Sequence, residues 1–244
     1  MHPQTTEVKE TLDIREMGAP RQGVPQVCDK RLYLQLQVFT NCENPERQIK
    51  SLAASGTEGV LYLNVNDPYG IGLLTMSENP TFFVNELRCL LSSDSWKTLR
   101  HKPKMTMFGR TYASGRETDL EDWLLYKSRR NALNPEWPWA IWYPLRRKPE
   151  FELLSKEEQG KILYEHAKIG INYGVNDLAH DIRLACYGLD KNDNEFVLGL
   201  VGRDLHPLSR VVQDMRKTQQ TAKYMESLGP FFIGKALWQS PFKR

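Results

Sequence analysis

The sequence predicts an α+β protein: two successive strand–helix–strand–strand–helix–strand units whose strands close one antiparallel β-barrel, with the helices packed outside. Two observations predict it. Short runs that alternate apolar and polar residues, as half-buried strands do, recur along the 244 residues and are separated by turn sequences. The order of elements between residues 31 and 112 then repeats between residues 139 and 237.

Residues 1–29 are polar, contain Gly18, Pro20, Gly23 and Pro25, and show no periodicity. They are expected to form an extended arm of the kind that orders against a neighbouring subunit. Residues 31–39 (RLYLQLQVF) alternate as a strand, and a short helix follows at 45–54. Residues 58–65 and 71–76 are the next strands, joined by the turn sequence Asn66-Asp67-Pro68-Tyr69-Gly70. A helix is expected over 79–91, with Pro80 at its first position and Phe83, Val84, Leu87 and Leu91 at helical spacing. Residues 105–112 form the fourth strand. Residues 30–113 thus make one ferredoxin-like half. Residues 114–138 are charged and read as a linker with a short helix at 119–126. The second half, 139–244, has strands at 139–143, 181–187, 195–201 and 230–237, and helices at 156–169 and 205–225.

Composition narrows the function. The chain is 40% hydrophobic and 26% charged, with a net charge of +3, too small to imply a polyanion partner. It shows no aromatic–basic pattern, so no nucleic-acid partner is expected. The basic runs at 127–130 and 146–148 read either as solvated surface or as cations for a ligand with several carboxylates. Four cysteines without CxxC or CxxCH spacing argue against a zinc site and against covalent haem attachment, and favour reduced thiols. With no secretory leader and no apolar run near ~20 residues, the protein is expected to be cytoplasmic and not inserted in a membrane.

The helix at 156–169 carries the most informative residue. Ser155 followed by Glu158 fits a capping box and fixes the helix start. Ile162, Leu163, His166 and Ile169 then share one apolar face. Taken alone, His166 reads as a satisfied core histidine or as a ligand. His2, His101 and His206 lie in the arm, a basic loop and a helix start, and His180 is the one rival. No HxH, HExxH or acidic triad offers a multidentate metal site. A metal held here would take one protein ligand, which points to iron held mainly by a porphyrin.

Four motifs, WYPLRR, YEHAKIG, YGLDKNDNEFV and MRKTQQTAKYMESLGPFFIG, follow in order over about residues 139–236. In this the chain resembles the chlorite dismutase superfamily, which includes the haem-forming coproheme decarboxylases. The resemblance implies a barrel of paired ferredoxin-like halves, commonly a homopentamer, with haem held by one proximal histidine, here His166. Tyr143-Pro144 matches the radical-bearing tyrosine of coproheme decarboxylases, where chlorite dismutases have an aliphatic residue. The distal position, arginine in chlorite dismutases, falls on Asp181, an anion that would repel chlorite. Arg183, two residues on and on the same strand face, is the other candidate for that place, or the two simply form an ion pair.

Gln219 stands where the family has a glutamate that accepts the proximal histidine's N–H, on a helix stripe shared with Leu208, Val211, Val212 and Met215. A neutral acceptor there implies weaker electron push. Phe151 replaces a family tryptophan. The resemblance implies oxidative decarboxylation of coproheme III to haem b by hydrogen peroxide, with Arg146, Arg147 and Arg216 as cations for propionates. A haem b enzyme acting on chlorite or peroxide, and a haem-binding protein without turnover, are the alternatives.

Overall fold

The computed structural model describes residues 12–243. A hairpin comes first, β1 (Glu16–Arg21) and β2 (Val24–Cys28). Then follow β3 (Tyr33–Thr40), α1 (Glu46–Ser55), β4 (Gly59–Asn64) and β5 (Ile71–Ser77). A 3-10 turn at Pro80–Phe83 leads to α2 (Glu86–Leu91), β6 (Arg100–His101) and β7 (Met107–Arg110). A π-helical turn at Asp122–Tyr126 runs straight into α3 (Lys127–Ala132). The second half holds β8 (Trp139–Arg147), α4 (Lys156–Val175), β9 (His180–Ala185) and β10 (Phe196–Gly202). It ends with α5 (Leu205–Met215), α6 (Gln219–Tyr224), β11 (Met225–Leu228) and β12 (Phe232–Gln239).

Pairing runs β10-β9-β7-β3-β5-β4-β12-β8, and β8 returns to β10. Eight strands therefore close a ring. Each half contributes four in the same order, β7-β3-β5-β4 and β12-β8-β10-β9, which is the ferredoxin-like arrangement twice over. Closure is uneven. The β7–β9 seam holds one registered pair, Arg110 with Ala185, against seven along β8–β10.

Alternation decides what fills the ring. Leu34, Leu36, Val60, Tyr62, Leu74, Trp142, Ile182, Val197 and Phe232 point inward and make a packed interior. Gly199 is needed there, because a Cβ would come within 2.6 Å of the Trp142 ring. The outer faces carry separate apolar layers. One, with Phe39, Leu52, Ile71 and Trp96, lies under α1 and α2; the other, with Ile141, Tyr143, Leu200 and Leu208, lies under α4 and α5.

Four expectations are corrected. Residues 16–28 of the expected arm form a hairpin anchored to this chain's own β7 and the loop after it, through Arg110 to Glu16 at 2.9 Å and Gln26 Nε2 to the Glu117 carbonyl at 3.0 Å; residues 1–11, with His2, lie outside the described residues. The helix at 79–91 breaks in two, because Asn85 leaves helical geometry at φ −109°, ψ −83°. The basic run at 127–130 is solvated surface only at Arg130: Lys127, Arg129 and Arg130 are each paired with carboxylates, and Arg129 is buried. The helix expected over 205–225 also breaks. Arg216–Thr218 turn tightly, and Thr218, extended at φ −73°, ψ 153°, caps a new helix by accepting from the Thr221 amide.

Candidate functional site

The site is built on the outer face of three adjacent strands. Register places Tyr143 of β8 opposite Leu198 of β10, and Leu198 opposite Arg183 of β9. Directly paired residues share a face, so Tyr143, Leu198 and Arg183 form one row. Ile141, Leu200 and Asp181 form the next. Helix α4 covers this wall. Its capping box is present, with Ser155 N donating to Glu158 Oε2 at 3.0 Å and Glu158 N to Ser155 Oγ at 3.3 Å. From that fixed start Ile169 and Tyr173 pack on the layer containing Ile141, Tyr143 and Leu200. His166 lies on the same stripe one turn earlier. Leu163, expected on that stripe, is 38% exposed and belongs to the outer side.

Thr218 sets the state of the His166 ring. Its hydroxyl donates to the Met215 carbonyl at 2.8 Å, and its oxygen lies 3.3 Å from His166 Nδ1. A hydroxyl has one hydrogen, so toward the ring Thr218 can only accept. Nδ1 therefore carries the proton, and the Nε2 lone pair is free. Burial, and then the nearby Arg183 charge, push the imidazole pKa down to about 4, with Glu165 acting the other way. The ring is neutral at ordinary pH.

Tyr143 is 7% exposed and stacks on Phe231, with ring centroids 4.7 Å apart. No group among the described residues hydrogen-bonds its hydroxyl. Burial and then the Asp181 carboxylate push the phenol pKa up, while Arg216 acts against them.

The charged residues separate into committed and open ones. Asp181 is bound on both oxygens, by Arg183 Nε at 2.8 Å and Lys127 Nζ at 2.9 Å. Arg147 is committed to Glu195 at 3.1 Å and Glu152 at 3.0 Å, between the rings of Phe151 and Phe196. Arg146 holds Glu226 at 3.2 Å. Both arginines named as cations for propionates are thus paired with carboxylates of this chain. Arg216 is exposed and has no carboxylate partner among the described residues.

Gln219 is exposed, and no hydrogen bond joins its side chain to His166; its backbone N–H donates to Glu165 at 3.1 Å. The expectation rested on the motif position four residues after Met215; in the structure the chain breaks at 216–218 and Thr218 lies at the ring. Thr218 and Phe231 are residues of the candidate site that sequence reasoning did not single out, while Lys127 was flagged only as part of the basic run at 127–130. Thr218 left a signal of its own, a threonine at helix-cap spacing from Thr221. His180, the rival histidine, bonds Asp177 at 2.8 Å and stacks on Trp137. Among the described residues no cluster of three metal-holding side chains exists.

The fold and this site define a class: two-unit α+β barrels with one neutral histidine set on a helix against the outer wall of the second unit. The chlorite dismutase family model matches residues 107–237, and the chain belongs to that family. It is 33% identical over 108 residues to a coproheme decarboxylase of Oceanobacillus iheyensis, covering 42% of this chain and 41% of that protein. It is 30% identical over 112 residues to the coproheme decarboxylase of Staphylococcus carnosus, covering 43% of each. The match thus spans about two fifths of the length of these curated relatives. Among solved structures, a heme-binding protein from Thermus thermophilus aligns with a TM-score of 0.67 at 17% identity, over 85% of this chain and 92% of that one. A mutant chlorite dismutase from Candidatus Nitrospira defluvii aligns with a TM-score of 0.66 at 15% identity, over 87% and 93%. These last two likenesses show the fold. No helix among the described residues is long and apolar enough to cross a membrane.

Proposed function

We propose that the chain binds an iron porphyrin through His166 and oxidatively decarboxylates coproheme III to haem b with hydrogen peroxide. The residues present fit such a group. His166 offers a free Nε2, the wall of Ile141, Leu198 and Leu200 is apolar, and Arg183 and Arg216 keep N–H groups for propionates. The observation that carries the reading is Tyr143, a buried phenol without a hydrogen-bond partner in the wall that α4 covers.

When bound, the iron porphyrin supplies the peroxide chemistry that removes electrons one at a time. Tyr143 gives up an electron together with its hydroxyl proton, since its raised pKa keeps the phenol protonated beforehand. The tyrosyl oxygen then takes a hydrogen atom from a propionate β-carbon and is a phenol again. A second one-electron loss at that carbon would let the bond between the neighbouring α-carbon and the carboxylate break, its electron pair forming the vinyl double bond as carbon dioxide leaves. Each round turns one propionate, one hydrogen peroxide and one proton into one vinyl group, one carbon dioxide and two waters. Two rounds give haem b. Thr218 would hold the His166 ring in register.

Four unpaired thiols support a reducing, cytoplasmic setting. Homo-oligomerisation, as a pentamer, is part of the proposal; Tyr164, Ile171 and Val175 on the outer side of α4 are 62%, 62% and 76% exposed and want cover. The test is to load the protein with coproheme, titrate hydrogen peroxide and follow the porphyrin by mass spectrometry. Stepwise loss of two carboxyl groups, abolished in Tyr143→Phe, is the expected result; bleaching without a vinyl product refutes the reading. The open terminal nitrogens of Arg183 favour one second reading, a haem b enzyme acting on chlorite, for which oxygen release from chlorite is the direct assay. A haem-binding protein without turnover would do neither.

A further inference from the structure

The π-helical turn and α3, which join the two halves, reach into the distal side of the site. Lys127 Nζ lies 2.9 Å from Asp181 Oδ1 and 4.0 Å over the Trp123 ring. Arg183 Nε lies 2.8 Å from Asp181 Oδ2, and its guanidinium sits 4.8 Å over the same ring. One carboxylate is thus shared by two cations on one aromatic platform. Trp123 is itself held, its indole N–H donating to the Tyr112 carbonyl at 2.9 Å.

The count of charges decides what this arrangement does. Arg183 paired with Asp181 alone would be a neutral couple with little pull on an anion. With Lys127 bound to the other oxygen the cluster carries one net positive charge. The two terminal nitrogens of Arg183 make no hydrogen bond among the described residues, and Arg183 lies in the row with Tyr143. We propose that Lys127 is a positioning residue for an anionic ligand: it satisfies Asp181, pins Arg183 by its Nε alone, and so leaves the guanidinium fork positive and open. The ligand class is a carboxylate or a small oxyanion at the Tyr143–Arg183 wall. The inference rests on the same wall as the proposed function, but it does not require a porphyrin to be bound.

Two measurements test it. In the apoprotein, formate is titrated while the side-chain nitrogen resonances of Arg183 are followed by NMR. In the ferric haem-loaded protein, fluoride and neutral imidazole are titrated against the Soret band. Lys127→Met is expected to weaken formate and fluoride about five- to tenfold, the effect of removing one charge at this range in a half-exposed site. Imidazole affinity should stay within about twofold, and Lys127→Arg should restore the anions. Equal formate response in wild type and Lys127→Met overturns the role of Lys127, whether or not porphyrin binds. A Soret band unchanged in His166→Ala would instead overturn the ligation reading and leave the formate result standing.

Discussion

Thr218 is the smallest unit on which the site depends. It is 1% exposed, caps α6 and meets His166 with the same oxygen. Thr218→Val keeps the shape and removes the acceptor, so the imidazole loses its orientation. Outer-shell changes of this kind weaken metal sites about 10- to 100-fold. We expect haem transfer to apomyoglobin to speed up by about that factor in Thr218→Val, and Thr218→Ser to stay near wild type. The ring's charge state gives a pH prediction. His166 in the folded apoprotein has its pKa lowered from 6.5 to about 4, so the unfolded chain binds more protons between those values. The contribution is fully present above about pH 6.5 and is lost as pH falls toward about 4. Thermal midpoints of apo His166→Gln should therefore fall less steeply than wild type over that window. Cys186 offers an independent check of burial. Its thiol donates to the Asn194 carbonyl at 3.0 Å, and burial pushes its pKa up to about 12. It should resist alkylation in the native state, while the exposed Cys89 reacts at once.

At the scale of elements, what was legible in the sequence was whatever depends on near neighbours. The capping box of α4, the stripe carrying His166 and the strand ending in Tyr143-Pro144 rest on spacings within a few residues. The fates of Arg146 and Arg147 were not legible, because their partners Glu226 and Glu195 lie 80 and 48 residues away and meet them only through the β8–β11 and β8–β10 pairings. The α5–α6 break was hidden for another reason. Its residues have ordinary helix propensity, and the interruption comes from a threonine hydroxyl that bonds the backbone behind it. With the break, Gln219 lies in solvent and Thr218 meets the ring. Gln219→Ala should accordingly leave haem affinity within about twofold, far from the 10- to 100-fold expected of a true second-sphere partner. Equilibrium titration of haem into the two proteins decides it.

The whole molecule has one weak line, the β7–β9 seam with its single registered pair. An open strand edge carries unpaired backbone groups and is covered in stable folds. Here α3 does the covering. Asn131 Nδ2 donates to the Asp181 carbonyl at 2.9 Å, directly on β9. Arg129, 9% exposed in its side chain, ties α3 to the other half through Glu58 at 2.9 Å and Glu78 at 3.2 Å. The strand being held is the one that carries Asp181 and Arg183, so the seam and the distal wall of the site are one mechanical unit. Asn131→Ala leaves the half-buried Asp181 carbonyl without this donor, at a cost of about 1 kcal/mol. The loss should be local before it is global. Hydrogen exchange in Asn131→Ala is expected to quicken first at the amides of β9, while β3 and β5, paired over seven residues, keep their protection. If β9 is an independent local opening unit, formate binding at Arg183 should weaken in step with that exchange, because the binding-competent arrangement is populated less. Exchange that rises uniformly over the barrel would mean that closure is cooperative around the ring and that α3 is only one contact among many.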